Sequence, residues 1–488
     1  MKTCHKGNRR IGGRQGREFG LAASFIAVAL SGACAGHSSS PGGAAGAGGS
    51  PFAGSTGQGG TLGTGGMVGT GGSSGSGLAG STVAGSTELP LLDQPLPTTY
   101  TCAATRPVTI SSVKAQEGTL GAPLALGAQI AFVVRSFFPG SADLANGVYA
   151  STLSLDGSIA APVPVRVATS YQLQPRMIRQ DNRTTVVWLE PGAVSTEIWT
   201  AQIDDSNAVV GPARSRYSVP VDVAVGHLLM AKQATELRLF WDESDSGSGT
   251  ASVKTVALSS EGDFLSTPTS VLNLTATIFA LSDVVPFAGG YAVSFLAGDS
   301  AAVTLRYLTI DAALAPAHQV VDLGAIGFSG WGDPGRLFAR DSELIIAKVA
   351  ATGSYENSNI ARFIELSRYD RAGIRLSGPT LLKRPVEDVE LVSPRFLGIG
   401  DDIGLLWSEG SVIYVCAGCT PNNGLNFVVL DGASLRPKSK VVTFPSPEAH
   451  GGLVSAEMAS ANGETSVVTA VQYHTTSSLA SGRLTCSP

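Results

Sequence analysis

A short apolar segment recurs seven times between residues 130 and 472. If one residue is taken from each copy, the steps along the chain are 54, 53, 54, 53, 59 and 64 residues. A period this regular predicts one structural unit that is copied seven times. The aligned residues are Val134, Trp188, Trp241, Phe295, Lys348, Trp407 and Val471.

Each unit contains signs of four strands. A strand precedes the apolar segment, as at Arg176–Arg179 and Arg395–Gly398, and a third strand ends in an acidic turn, as at Asp370. A further β-rich run closes the unit, as at Val163–Val167. Four short strands in a repeat of about 50 residues are typical of a propeller blade. Residues 88–488 are therefore predicted to form an all-β, seven-bladed propeller of four-stranded antiparallel blades, a fold that does not by itself specify a chemistry.

The last repeat lacks its fourth strand, because the chain ends shortly after Cys486. Residues 107–112 precede the first repeat and have no partner there, so they are predicted to complete the last blade. Closure of this kind removes an exposed sheet edge. Cys102 lies just before this strand and would then come close to Cys486.

Four cysteines lie in the repeat region, an even number that suits disulfides in an oxidising compartment. The predicted pairs are Cys102–Cys486 and Cys416–Cys419. The second pair forms a C-x-x-C motif in a loop, where the alternatives are a metal site or a redox site. No further Cys or His ligand is near in sequence, and no helix is predicted there to lower a thiol pKa, so no metal site and no cofactor are predicted.

The N-terminus has the features of an export signal. Six basic residues precede the apolar run Phe19–Leu30, which has 12 residues and is too short to span a bilayer. Ser31-Gly-Ala33-Cys34 follows and resembles the lipobox of bacterial lipoproteins, although Leu30 lies one place earlier than the usual leucine. The resemblance implies a signal peptide over 1–33 and a lipid on Cys34, which would be the chain's one contact with a bilayer. Cleavage by an ordinary signal peptidase is the alternative.

Residues 34–87 form a tether of Gly, Ser, Ala and Thr, which lacks the apolar side chains needed for a packed core and is predicted to be disordered. Without residues 1–33 the chain has 27 basic and 37 acidic residues, a net charge of −10. This balance argues against nucleic acid as a partner. The expected location is the outer membrane or cell surface, or the medium if Cys34 carries no lipid.

An acid follows a tryptophan at the same place in three blades, which makes Glu190, Glu243 and Glu409 the candidate catalytic residues. If that place opens on the central funnel, the carboxylates would converge and could act as general acid and base. Alternatively, the tryptophans pack between blades and each acid is the first solvated residue beyond them. Loops at 243–250, 351–359 and 410–424 are the expected ligand-binding face.

The chain lacks the sequence motifs of several catalytic classes. The histidines are scattered, and there is no metallopeptidase helix, nucleophile elbow, phosphate loop or sialidase-type Asp box. The sequence therefore favours a binding or interaction module for an unknown protein or glycan, more than an enzyme. The alternative is an extracellular polysaccharide hydrolase or lyase that uses carboxylates in the funnel.

Overall fold

The computed structural model describes residues 89–488 with gaps. The predicted signal peptide, the tether, Cys34, Cys416 and Cys419 lie outside the described residues. Among the residues that are described, no helix is long and apolar enough to cross a membrane. The gaps are 106–107, 115–123, 127–128, 137–146, 155–159, 161–162, 168–172, 181, 207, 246, 300–302, 327–334, 341, 353–360, 384–385, 388, 412–423, 446–451, 462–463 and 474–475.

The described part of the chain is almost entirely β-structure. A single 3-10 turn, Leu91–Asp93, precedes the strands. The first two strands are β1 (Thr101–Ala104) and β2 (Val108–Lys114). Blade 1 contains β3 (Leu124–Leu126), β4 (Gln129–Ser136), β5 (Gly147–Ser154) and β6 (Val163–Val167). Blade 2 contains β7 (Leu173–Gln180), β8 (Arg183–Pro191), β9 (Ser195–Asp204) and β10 (Arg214–Pro220).

The next two blades repeat the same strand order. Blade 3 contains β11 (Val223–Gln233), β12 (Glu236–Asp245), β13 (Thr250–Leu258) and β14 (Thr269–Thr275). Blade 4 contains β15 (Ile278–Phe287), β16 (Gly290–Gly298), β17 (Val303–Ile310) and β18 (Val321–Ala325).

Blade 5 adds a short fifth strand to this pattern. It contains β19 (Gly335–Arg340), β20 (Glu343–Thr352), β21 (Ala361–Asp370) and β22 (Arg375–Leu381), and β23 (Val386–Glu387) also pairs with β21. Blade 6 contains β24 (Val389–Ile399), β25 (Asp402–Ser411), β26 (Gly424–Leu430) and β27 (Val442–Pro445). Blade 7 contains β28 (Gly452–Ala461), β29 (Glu464–Tyr473) and β30 (Thr476–Ser487).

The seven sheets form a closed ring. The first strand of every blade contacts the first strand of the next, from β3 through β7, β11, β15, β19 and β24 to β28, and β28 contacts β3. All strand pairs within the sheets are antiparallel. The prediction of a seven-bladed propeller with four-stranded antiparallel blades is confirmed.

The second strand of each blade carries the repeated apolar segment. In β8, the six residues Thr184–Leu189 are all buried, so both faces of the strand are covered. A strand covered on both faces is apolar at successive positions, whereas a half-exposed strand alternates. Trp241 packs against Val187 and Leu189 of the preceding blade, and Trp407 is buried against blade 5 in the same way. These two tryptophans therefore pack between blades.

The two ends of the chain meet in blade 7. Strand β1 pairs with β30, with Cys102 opposite Cys486, and β2 pairs with the first half of β30 through Val108–Ile110. Cys102 and Cys486 form a disulfide, with their Cα atoms 4.1 Å apart and a sequence separation of 384. Cys102, which the sequence analysis placed before the closing strand, itself lies in strand β1 of this blade.

Residues 90–100 form a strap that joins blades 5 and 6 before the chain enters β1. Leu91 is buried in the core between these two blades, beside Trp407. Its neighbour Leu92 donates its N–H to the carbonyl of Leu382 at 2.9 Å, and Thr99 donates to Lys438 at 3.0 Å. The strap therefore gives the N-terminal segment a defined course across the ring.

Turns between the third and fourth strands are closed by side-chain oxygens. In blades 2, 4 and 5, Oδ1 of Asp204, Asp311 and Asp370 accepts the N–H groups of the second and fourth residues that follow, at 2.8–3.0 Å. The sequence predicted an acidic turn after the third strand, and in these three blades the observed turn is too wide for a tight hairpin. The acid is needed because its carboxylate satisfies two N–H groups that the wider turn leaves without strand partners.

The disulfide gives a first prediction. The double variant Cys102→Ser, Cys486→Ser should lose about 2–5 kcal/mol of unfolding free energy, because the bond closes a very long loop in the unfolded chain. Urea denaturation measures this loss. Each single variant should lose about as much as the double variant, since either change removes the same bond. Equal unfolding midpoints for the oxidised wild type and the double variant would show that the bond does not stabilise the ring.

The turn acids predict an acid-labile contribution to stability. The pKa of Asp204 lies below its ordinary value of 3.8 because the Ser206 hydroxyl and the Ala208 N–H donate to the carboxylate. Its contribution is therefore complete above that ordinary value and is lost as the pH falls through the lowered folded pKa. Asp204→Asn should flatten the fall of melting temperature between pH 5 and pH 2, and Ser206→Ala should flatten it in part. A wild-type slope in both variants would contradict this account.

Candidate functional site

A cavity of about 540 Å³ lies on the axis of the ring. Its described lining comes entirely from the first strands of blades 2 to 6, which are the strands that contact one another around the axis. The lining residues are Arg176, Met177, Leu229, Met230, Asp283, Val284, Val285, Pro286, Arg336, Leu337, Phe338, Ala339, Arg395 and Phe396.

Three arginines occupy the same register position in different blades. Arg176, Arg336 and Arg395 pair with the residues that immediately precede Trp188, Lys348 and Trp407, which are the equivalent residues of the seven repeats. Leu229 and Asp283 fill this position in blades 3 and 4. One level of the cavity wall thus holds three guanidinium groups and one carboxylate. We call it the arginine level.

Backbone carbonyls hold two of these arginines. Arg176 donates from Nε to the carbonyl of Leu228 in the neighbouring blade at 3.1 Å, and Arg395 donates to the carbonyl of Pro394 at 3.1 Å. In both blades the ladder between the first and second strands shifts register just before the arginine. Such a bulge leaves backbone groups without ladder partners. The arginine positions therefore follow from the local strand geometry.

The third arginine belongs to a small network between blades 4 and 5. Arg336 donates to the carbonyl of Ser282 at 2.7 Å and lies 3.6 Å from Oδ1 of Asp283. Asp283 also accepts the N–H of Val284 at 2.9 Å and that of Leu337 at 2.8 Å. This carboxylate thus links the two first strands and fixes the guanidinium beside it.

The next level of the cavity wall is entirely apolar in blades 2 to 6. The residues that follow the arginine level in register are Met177, Met230, Val284, Leu337 and Phe396. Phe338 lies one level further along, and its ring centroid is 5.6 Å from that of Phe396. The cavity therefore has a charged level and an apolar wall.

The structure places the candidate catalytic acid Glu190 between blades 1 and 2. Arg166 of β6 binds both carboxylate oxygens, from Nε at 2.8 Å and from its second terminal nitrogen at 3.1 Å. The same guanidinium lies 3.6 Å from the centre of the Trp199 ring. Glu190 therefore takes part in a two-point ion pair that joins neighbouring blades.

Glu243 and Glu409 have equivalent positions and similar partners. Each accepts a hydrogen bond from the indole of the tryptophan two residues earlier, at 2.8 Å for Glu243 and 3.3 Å for Glu409. Lys254 lies 4.0 Å from Glu243. Asn426 donates to Glu409 at 2.8 Å, and Lys383, from the preceding blade, also binds it.

None of the three candidate acids lines the axial cavity. Each carboxylate is held by groups of its own blade or of the blade before it. In the described residues, no three Asp, Glu, His or Cys side chains are grouped so as to hold a metal ion.

The loop at 243–250 joins β12 to β13 and uses its acid internally. The pKa of Asp245 is lowered mainly by the Ser248 hydroxyl and also by the N–H of Gly247, both of which donate to its carboxylate. The loops at 351–359 and 410–424 fall largely outside the residues that the structure describes.

The arginine level is the feature that the sequence analysis did not interpret as a site. The sequence did contain a signal, because Arg176, Arg336 and Arg395 begin the predicted first strands of three repeats. A strand arginine usually faces solvent. Its axial position becomes visible only after the repeats are aligned and the ring is closed.

No protein-family model matches this chain, and no curated protein matches it in sequence. Among solved structures, Trypanosoma rangeli sialidase in complex with sialic acid has a TM-score of 0.41 and 10% identity, with 74% of this chain and 60% of the sialidase covered. Polysaccharide lyase Uly1 has a TM-score of 0.42 and 8% identity, with 74% and 89% covered. The chain thus spans less than two thirds of the sialidase. Similarities at this level add nothing to the sheet topology.

The partners of Glu409 give a third prediction. Glu409→Gln should lower the unfolding free energy by about 1–2 kcal/mol, because the half-buried ion pair with Lys383 is lost while an amide oxygen can still accept from Trp407. Urea denaturation measures the change, and Glu261→Gln in an exposed turn is the matched control. An unchanged stability for Glu409→Gln would show that this carboxylate has no structural role.

Proposed function

We propose that this chain is an exported, lipid-anchored binding module that takes an anionic group of its ligand into the axial cavity. The cavity volume of about 540 Å³ suits a small ligand or one end of a larger ligand. Arginine binds carboxylate and other oxyanions through paired N–H donors and keeps its charge at all relevant pH values. Export and anchoring rest on the leader and Cys34, and the intact mass of the mature N-terminus tests them.

One observation carries the proposal: three arginines from separate blades line one cavity at the same level. Like charges in a partly enclosed space repel one another. Asp283 is the one carboxylate in the described lining. A bound anion would accept hydrogen bonds from the guanidinium groups and reduce this repulsion. The chain as a whole carries a net charge of −5, so the cationic lining is a local feature.

Binding accounts for this geometry better than catalysis by carboxylates does. Glycoside hydrolysis generally uses two carboxyl groups that flank the bond to be broken, about 5–10 Å apart. The described cavity lining offers Asp283, which already accepts two backbone N–H groups and lies beside Arg336. A polysaccharide hydrolase or lyase remains the alternative. Its test is incubation with polygalacturonate and an assay for new chain ends.

The fourth prediction compares acids with neutral molecules of the same shape. In isothermal titration, benzoate should bind more tightly than benzamide, and glucuronate more tightly than glucose, by at least tenfold in each pair. Arg176→Gln should weaken binding of the acids about tenfold, because it removes one charge-assisted contact.

The matched control for Arg176→Gln is Arg214→Gln, at an exposed position of the outer strand β10, which should leave binding unchanged. Equal affinity for the acids and the neutral molecules would overturn the proposal. So would an Arg176→Gln protein that keeps its melting temperature and binds the acids as the wild type does.

A further inference from the structure

The wall of the axial cavity changes chemistry along its length. All of its described charged groups belong to the arginine level. None of the other lining side chains carries an oxygen or nitrogen that could donate or accept a hydrogen bond. These are Met177, Leu229, Met230, Val284, Val285, Pro286, Leu337, Phe338, Ala339 and Phe396. The charged groups are thus confined to one level, and the apolar side chains extend along the strands towards the hairpins that join first and second strands.

This division disfavours a sugar as the part of the ligand that enters the cavity. Each ring hydroxyl that leaves water needs a hydrogen-bond partner, and a hydroxyl without one weakens binding by roughly 5- to 150-fold. Away from the arginine level, the described side chains that line the cavity offer no such partner. A hydroxylated ring placed beside them would depend on backbone groups of the first strands alone, whereas an alkyl or aryl group needs no such partner.

The same wall favours an apolar group. Met230 keeps part of its side chain exposed, and its flexible, polarisable thioether adapts to ligands of different shape. On the other side of the axis, Phe338 and Phe396 present two neighbouring rings. Each methylene group moved from water into such surroundings strengthens binding about three- to fourfold.

We infer that the ligand of this site is an apolar organic acid, with its carboxylate at the arginine level and an alkyl or aryl body against the methionine and phenylalanine side chains. The inference rests on the proposed function and adds the class of ligand. Acidic sugars and apolar acids both carry an acidic group, and the inference distinguishes them by the polarity of the rest of the molecule.

The test is a series of straight-chain carboxylates titrated into the wild-type chain by calorimetry. From butyrate through hexanoate to octanoate, affinity should rise about tenfold for every two methylene groups. Glucuronate should bind at least tenfold more weakly than octanoate. Octanol, which has the same body without the charge, should also bind at least tenfold more weakly.

A variant of the wall supplies an independent readout. Met230→Gln keeps the length of the side chain and adds polar atoms, so octanoate should bind about three- to tenfold more weakly while butyrate is less affected. Leu265→Gln is the matched control, because Leu265 is 64% exposed and lies outside the cavity lining. Melting temperatures show whether both variants keep the fold.

The possible outcomes distinguish the two proposals. Affinity that rises with chain length and falls in Met230→Gln supports the inference. Glucuronate binding as tightly as octanoate, or a series with no dependence on chain length, overturns the inference and leaves the anion site in place. Failure of every acid to bind overturns both.

Discussion

The stability of this ring depends on blades whose sheets are buried on both faces. In blades 2 to 6 the second strand is packed between its own neighbours and the adjacent blades, and Trp188, Trp241 and Trp407 are at most 1% exposed. Because each blade buries its apolar surface mainly against the next, no blade could hide that surface alone. The ring must therefore close, and the disulfide between the two end strands acts in blade 7, where the two ends of the ring meet.

Around the axis, the backbone N–H and C=O groups of the first strands cannot all find hydrogen-bond partners within the sheets. Several first strands contain a bulge, and first strands of neighbouring blades contact each other without forming a shared sheet. Side chains take over the missing hydrogen bonds, as when Arg176 binds the carbonyl of Leu228 and Asp283 binds the N–H of Leu337. Backbone groups that lack sheet partners thus account for the polar residues at the centre of the ring, and the anion site that we propose uses the same residues.

The fold could be predicted because burial on both faces leaves a strong mark in the sequence, seven apolar segments at similar spacing. The candidate site could not be predicted for a related reason. Glu190 and Glu409 are conspicuous beside their tryptophans, yet each is bound by a cation from the neighbouring blade. Arg176, Arg336 and Arg395 are far apart in the chain and resemble surface residues. What unites them is their register with the second strand, which only the assembled ring shows.

The pairing of β1 with β30 has a consequence for the order of events during synthesis. Thr101–Ala104 must wait for a partner that is made about 380 residues later. At 5–20 residues per second this delay lasts roughly 20–80 s. During that interval blades 1 to 6 can form one after another, because each is built from consecutive strands, but blade 7 stays incomplete and Cys102 has no disulfide partner. The ring can therefore close and be oxidised only after β30 has been made.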